Sequence, residues 1–226
     1  MIYLSGASHN LIHSYGVHGL GIIVTPRHGR PPALGIPWAI DNDCFNQGDA
    51  FRWTAFTTWL GKLSLYQRSC LFVPAPDVVA DADTTLRKFT VYGQLIRGAG
   101  WAVALVAQDG LLPGHIPWEE IDALFVGGST DWKLSEAARD CVEEAKRQGK
   151  WVHMGRVNSE KRFKIAYSWG VDSVDGTFLK YGPDTNWPKL KRWLRNNLQG
   201  RFADVVWAPA NSLSVVNRHS TDNVGA

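Results

Sequence analysis

Cysteine is scarce in this chain of 226 residues, with three copies, Cys44, Cys70 and Cys141, far apart in sequence. An odd number so widely spaced argues against a disulfide framework, and without a C-x-x-C pair a sulfur-rich zinc site is not expected either. No stretch approaches the roughly 18 consecutive apolar residues of a membrane-spanning helix, so no membrane partner is expected. The N-terminal MIYLSGASHN lacks the basic start and apolar core of a secretory signal, and a reducing cytoplasmic setting follows as the expectation. Net charge is small as well: +3 does not mark the whole surface as polyanion-binding, although it is compatible with a local basic face. Internal repeats and low-complexity tracts are absent.

What the chain does have is apolar material, 45% hydrophobic and 12% aromatic residues, enough to bury one core of barrel size. A single domain over residues 1–210 is expected, with a frayed polar tail over 211–226. Eight short β-rich runs stand out: 1–6, 20–26, 38–42, 70–75, 102–108, 123–128, 151–156 and 172–177. Several are continuously apolar rather than alternating, the pattern of parallel strands covered on both faces. Helical patterns separate most of them, at 49–63, 84–98, 134–149, 159–170 and 186–198. The third of these is the clearest, with Leu134, Ala137, Ala138, Cys141, Val142 and Ala145 on one stripe, Ser135 and Glu136 at the start and Gly149 at the end. Eight strands joined by helical crossovers predict an α/β protein of the (β/α)8, TIM-like barrel type, with a nine-strand or doubly wound sheet as the competing topology. The punctuated segment RHGRPPALGIP, residues 27–37, reads as a loop over the barrel mouth.

In a parallel barrel, reacting groups gather where strands end. Asp175 ends the last strand run and Asp41 ends the third, WAIDN, and two such carboxylates suit a nucleophile and a general acid/base. Asp43 competes with Asp41, since one of the pair is expected to cap the helix that starts near Gly48. Asp172 reads as a turn or cap residue. The histidines show no convincing ligand spacing, and no metal site is expected.

The order of short motifs along residues 35–180 resembles the tRNA-guanine transglycosylase superfamily, most closely the phage and bacterial 7-deazaguanine DNA transglycosylases. IDNDCF (40–45) is similar to that family's Asp-Ser-Gly-Gly-Phe element, VAQDG (106–110) to Val-Gln-Gly-Gly, FVGGS (125–129) to a Gly-Gly pair, HMG (153–155) to Met-Gly, and GVDSVDGT (170–177) to Gly-Val-Asp-x-Phe-Asp. The resemblance implies Asp175 as nucleophile on the sugar C1′, Asp41 as acid/base and Phe45 as the base-stacking aromatic. It further implies Asp77 and Gln108 at the base edge, backbone at Gly127 and Gly128 against the base, and Met154 as an apolar lid; independently of the family, a pocket around an extruded nucleotide asks for walls, and Trp38 is a candidate beside Phe45 and Met154. It implies a barrel that exchanges guanine in DNA for a free 7-deazaguanine base, such as the 7-cyano form, without a cofactor, in the host cytoplasm if phage-encoded. The Cys/His zinc segment of the tRNA enzymes has no counterpart, because no cysteine follows Cys141.

The chemistry asks for the same residues. Cleaving an N-glycosidic bond builds positive charge on the sugar and negative charge on the base, so a carboxylate near C1′ and a proton donor near the base are needed. Phosphate contacts are expected from Arg27, Arg30 and Lys180 near the mouth and from Lys189 and Arg192 on the last helix. Three alternatives stay open: a tRNA-guanine transglycosylase, a hydrolytic glycosylase or nucleosidase, and a non-catalytic nucleic-acid-binding barrel.

Overall fold

The computed structural model describes residues 1–6, 19–27, 30–31 and 35–198, with side chains through 196. The expected tail over 211–226 lies outside the described residues. Eight parallel strands are present among those described: β1 (Ile2–Ser5), β2 (Leu20–Val24), β3 (Trp38–Ile40), β4 (Val73–Pro74), β5 (Val103–Ala107), β6 (Ala123–Val126), β7 (Trp151–Met154) and β8 (Ser173–Gly176). Their order is β3-β2-β1-β8-β7-β6-β5-β4. The two ends of that sheet meet, because Trp38 bridges Cys70 and the Ile40 N–H donates to the Phe72 carbonyl at 3.2 Å. The sheet therefore closes into the (β/α)8 barrel, which an open doubly wound sheet cannot do.

The helices are α1 (Cys44–Gln47), α2 (Trp53–Gly61), α3 (Ala82–Gly98), α4 (Thr130–Lys133), α5 (Glu136–Arg147), α6 (Glu160–Ser168) and α7 (Pro183–Leu198). In α5 the Ser135 hydroxyl accepts from the Ala138 N–H, Ala138, Cys141, Val142 and Ala145 are buried, and Gly149 follows at φ 68. That left-handed residue lets the Lys150 N–H return to the Ala145 carbonyl at 2.9 Å, closing the helix. Two expectations shift at their edges. The helix expected over 49–63 starts at Trp53, because Phe51 and Arg52 are extended. The strand expected over 70–75 shrinks to two residues. Helix α4 was not anticipated, although Ser129 caps it by accepting from the Trp132 N–H.

The core has two layers. Leu4, Ile23, Ala39, Phe72, Ala104 and Ala123 form a cluster drawn from strands and strand ends, joined by Ile2, Leu71, Phe125 and Trp151; these fill the barrel lumen. Val24, Ile40, Leu105, Val126, Val152, Met154 and Val174 pack instead with helix residues such as Phe56, Phe89, Cys141 and Phe163. Successive strand residues thus alternate between lumen and helix layer, and that parity decides which side chains reach the mouth.

Candidate active site

Asp175 shares the lumen parity of Ser173 on β8, and Asp41 shares that of Ala39, one residue beyond β3. Both aspartates consequently stand at the carboxyl end of the barrel and face the same opening. Asp41 is held at its backbone, where its N–H donates to the Val24 carbonyl at 2.9 Å, and its Oδ1 accepts the Asp43 N–H at 2.7 Å. Burial pushes its carboxyl up to about 7; the Asp43 N–H pulls the other way, and the nearby carboxylates of Asp175, Asp77 and Asp43 raise it further. An aspartic acid that keeps its proton near neutrality can act as a general acid.

Asp43 is separated from that task by its partners. It is buried at φ 63, pairs with the Arg27 Nε at 3.0 Å, and accepts from Asn46 Nδ2 at 2.6 Å. Its carboxylate anchors the turn into α1. Arg27, expected among the phosphate contacts, is engaged in this pair.

Asp175 is the top of a polar ladder through the lumen. Its Oδ1 accepts from the Arg156 backbone N–H at 2.9 Å and meets His153 Nε2 at 3.2 Å. His153 Nδ1 meets Ser173 Oγ at 2.9 Å, and Ser173 Oγ accepts from Trp151 Nε1 at 2.9 Å. Indole N–H only donates and a carboxylate oxygen only accepts, so Ser173 Oγ takes the indole hydrogen and the hydrogen between His153 and Asp175 is carried by Nε2. The ring is wedged between Phe125 and Phe72, with centroids at 4.5 and 5.0 Å. Asp175 Oδ2 takes no hydrogen bond among the described residues, and the side chain is 16% exposed to the mouth. Asp172, by contrast, accepts from the Val152 N–H at 2.8 Å and Lys146 Nζ at 2.6 Å, the structural role its position suggested.

Around this pair the expected base-edge residues form a closed network. Asp77 accepts from Asn42 Nδ2 at 3.0 Å and Gln108 Nε2 at 2.6 Å, and burial raises its carboxyl despite both amides. Gln108 Oε1 accepts from the Ala80 and Gly128 N–H groups at 2.9 and 3.0 Å, with the side chain 2% exposed. The Gly127 N–H is taken by the Ala107 carbonyl at 2.9 Å, and the Gly128 carbonyl accepts from Arg156 Nη2. The backbone expected to meet a base is therefore bonded inside the protein. Gly128 is required for shape: it sits at φ 70, and a Cβ there would approach Asp109 Oδ2 and Trp132 Cε3 at 2.7 Å.

Met154 needs correction. It is fully buried and belongs to the helix-layer cluster, because it follows His153 on β7 and so points away from the lumen. It cannot roof the mouth. Met154→Ala is accordingly expected to cost about 2–5 kcal/mol of stability, read by urea denaturation. Trp38 is corrected on the same grounds: it is 1% exposed in the helix layer and donates to Ser69 Oγ at 3.0 Å. Phe45, expected as the base-stacking aromatic, is 56% exposed, with the Arg156 guanidinium 4.6 Å above its ring.

The mouth also holds residues that the sequence did not single out. Lys133, on α4, is buried and donates from Nζ to the Gly155 carbonyl at 2.6 Å. Burial pushes its amine down to about 7, Arg156 and Arg162 add to the effect, and Asp175 and Asp109 oppose it. Lys180 and Lys189 are exposed, as is Arg30; Arg192 pairs with Glu160 on α6 at 3.2 Å. Among the described residues no three His, Cys, Asp or Glu side chains are grouped to hold a metal ion. No described helix is long and apolar enough to cross a membrane.

Comparison with known proteins adds little beyond this geometry. No family model matches the chain, and no curated protein matches it. A crystal structure of a glycerophosphodiester phosphodiesterase from Parabacteroides distasonis is similar at 14% identity and a TM-score of 0.41, over 82% of this chain and 62% of that one. The chain thus spans less than two thirds of that protein's length, and a likeness this distant carries no argument about chemistry.

Proposed function

We propose that the protein exchanges guanine in DNA for a free 7-deazaguanine base, such as the 7-cyano form, with Asp175 as nucleophile and Asp41 as general acid and base. The observation that carries this reading is a pair of lumen carboxylates at one mouth with unlike settings: Asp41 raised to about 7, and Asp175 oriented through Oδ1 with Oδ2 free. Asp175 Oδ2 attacks C1′, the bond from C1′ to the base breaks with its electron pair on the base, and Asp41 delivers the proton that the departing base requires. Asp41 then takes a proton from the incoming base, which displaces Asp175 and restores both groups. The exposed Phe45 ring offers the stacking surface for a nucleotide drawn out of its helix. Exposed Arg30, Lys180 and Lys189 supply cations for the backbone.

The test incubates the protein with DNA and radiolabelled guanine or 7-deazaguanine. Label entering DNA is the expected result. Base loss without label would replace exchange by hydrolysis, and labelling of folded tRNA but not DNA would make tRNA the substrate. Affinity for DNA should also fall steeply with salt, with a log-log slope of roughly −0.9 per phosphate contacted on duplex. Charge reversal at Arg30 and Lys189 should flatten it, and salt-independent binding would remove DNA from the account.

A further inference from the structure

We propose that Arg156 and Arg162 form a phosphate subsite beside Asp175, taking a phosphodiester next to the nucleotide whose sugar faces that carboxylate; this rests on the reading of the mouth as a DNA site. Arg156 lies in the turn from β7 to α6 at φ 60, one of three non-glycine residues with positive φ among those described. Glycine holds such a backbone without steric conflict, and arginine does not. What arginine adds there is its side chain. The backbone N–H of this residue binds Asp175 Oδ1 at 2.9 Å, so the guanidinium is tethered next to the carboxylate. One face of the guanidinium covers Phe45 at 4.6 Å, and one amine donates to the Gly128 carbonyl.

Arg162, in the first turn of α6, donates to the Arg156 carbonyl at 3.3 Å. Lys133 lies beneath, donating to the adjacent Gly155 carbonyl. Each of these three cations is anchored on a carbonyl oxygen, and among the described residues none forms an ion pair. Carbonyls hold such groups in place without neutralising them, and the three are close enough that both arginines depress the Lys133 amine. Two partly exposed guanidinium forks beside a buried lysine are completed by an anion with several oxygens. The adjoining Phe45 ring places a stacking surface next to that anion, as the base and phosphate of a single nucleotide require.

The experiment measures fluorescence anisotropy of a labelled, guanine-containing oligodeoxynucleotide against wild type, Arg156→Gly and Arg162→Gln. A second set of oligonucleotides carries an uncharged methylphosphonate in turn on either side of the target guanosine. Arg156→Gly is expected to keep or raise Tm, because it relieves the positive φ, while raising Kd about tenfold or more. One methylphosphonate should weaken wild type by a similar factor and add little to Arg156→Gly or Arg162→Gln, the signature of a shared contact. Unchanged Kd in both variants, or a methylphosphonate penalty as large in the variants as in wild type, would overturn the subsite. A wild type that shows this coupling but never exchanges a base supports the subsite and sinks the exchange reading instead.

Discussion

Asp175→Asn is expected to leave the barrel folded and to abolish base exchange, with no covalent adduct between protein and DNA trapped on a denaturing gel. The amide is nearly isosteric with the carboxylate, and its oxygen still accepts from His153 Nε2 and the Arg156 N–H, the partners at 3.2 and 2.9 Å. What disappears is the free oxygen proposed to bond to C1′. Losing a covalent nucleophile removes several kcal/mol of transition-state stabilisation, each ~1.4 kcal/mol being tenfold in rate. Retention of more than about one hundredth of the wild-type rate, roughly 2.7 kcal/mol on that scale, would remove Asp175 from the role.

For Asp41 the large effect appears along the pH axis. On the proposed mechanism the departing base takes its proton from the Asp41 carboxyl, so the exchange rate is expected to decline by about tenfold per pH unit above about 7, where Asp41 loses its proton. Asp41→Asn should remove that limb and cost about 10²- to 10⁴-fold in rate. The sign for stability follows from the same shift. The folded carboxyl holds its proton to about 7, against 3.8 for the ordinary group, so its contribution is fully present below about pH 4 and is lost as pH rises through 7. Denaturation profiles should therefore show Asp41→Asn gaining on wild type between about pH 4 and about 7. Parallel profiles would mean that Asp41 titrates as an ordinary surface acid.

The barrel was legible because its signals are local. Runs such as AVALVAQ and ALFVGG are too short for helices and too apolar for exposed strands, and their alternation with the Ser135-capped and Ser159-capped helices leaves few topologies. The position of Asp41 and Asp175 at strand ends was legible for the same reason. The face that each residue presents was not, since continuously apolar strands carry no alternation to mark the lumen. This is why Met154 appeared as a lid while its neighbour His153 holds the carboxylate. Even there a cue existed: Trp151 and His153 have polar handles, as do Ser173 and Asp175, while Val152, Met154 and Val174 have none that donates. Helix α4 had its own cue in Ser129 after the Gly127-Gly128 pair. Lys133 and Arg156 had none, because their roles depend on carbonyls that only the closed barrel brings near them.

The ladder from Trp151 through Ser173 and His153 to Asp175 makes the barrel floor an insulator for protons. A relay needs every member to release a proton on one side and accept one on the other, and the indole at the bottom has a hydrogen to give but no lone pair with which to receive. The wire is therefore dead-ended. On the proposed mechanism, the protons that move during base departure and base arrival enter and leave through the mouth where Asp41 stands, so the timing of their exchange with solvent follows how tightly a bound substrate seals that opening.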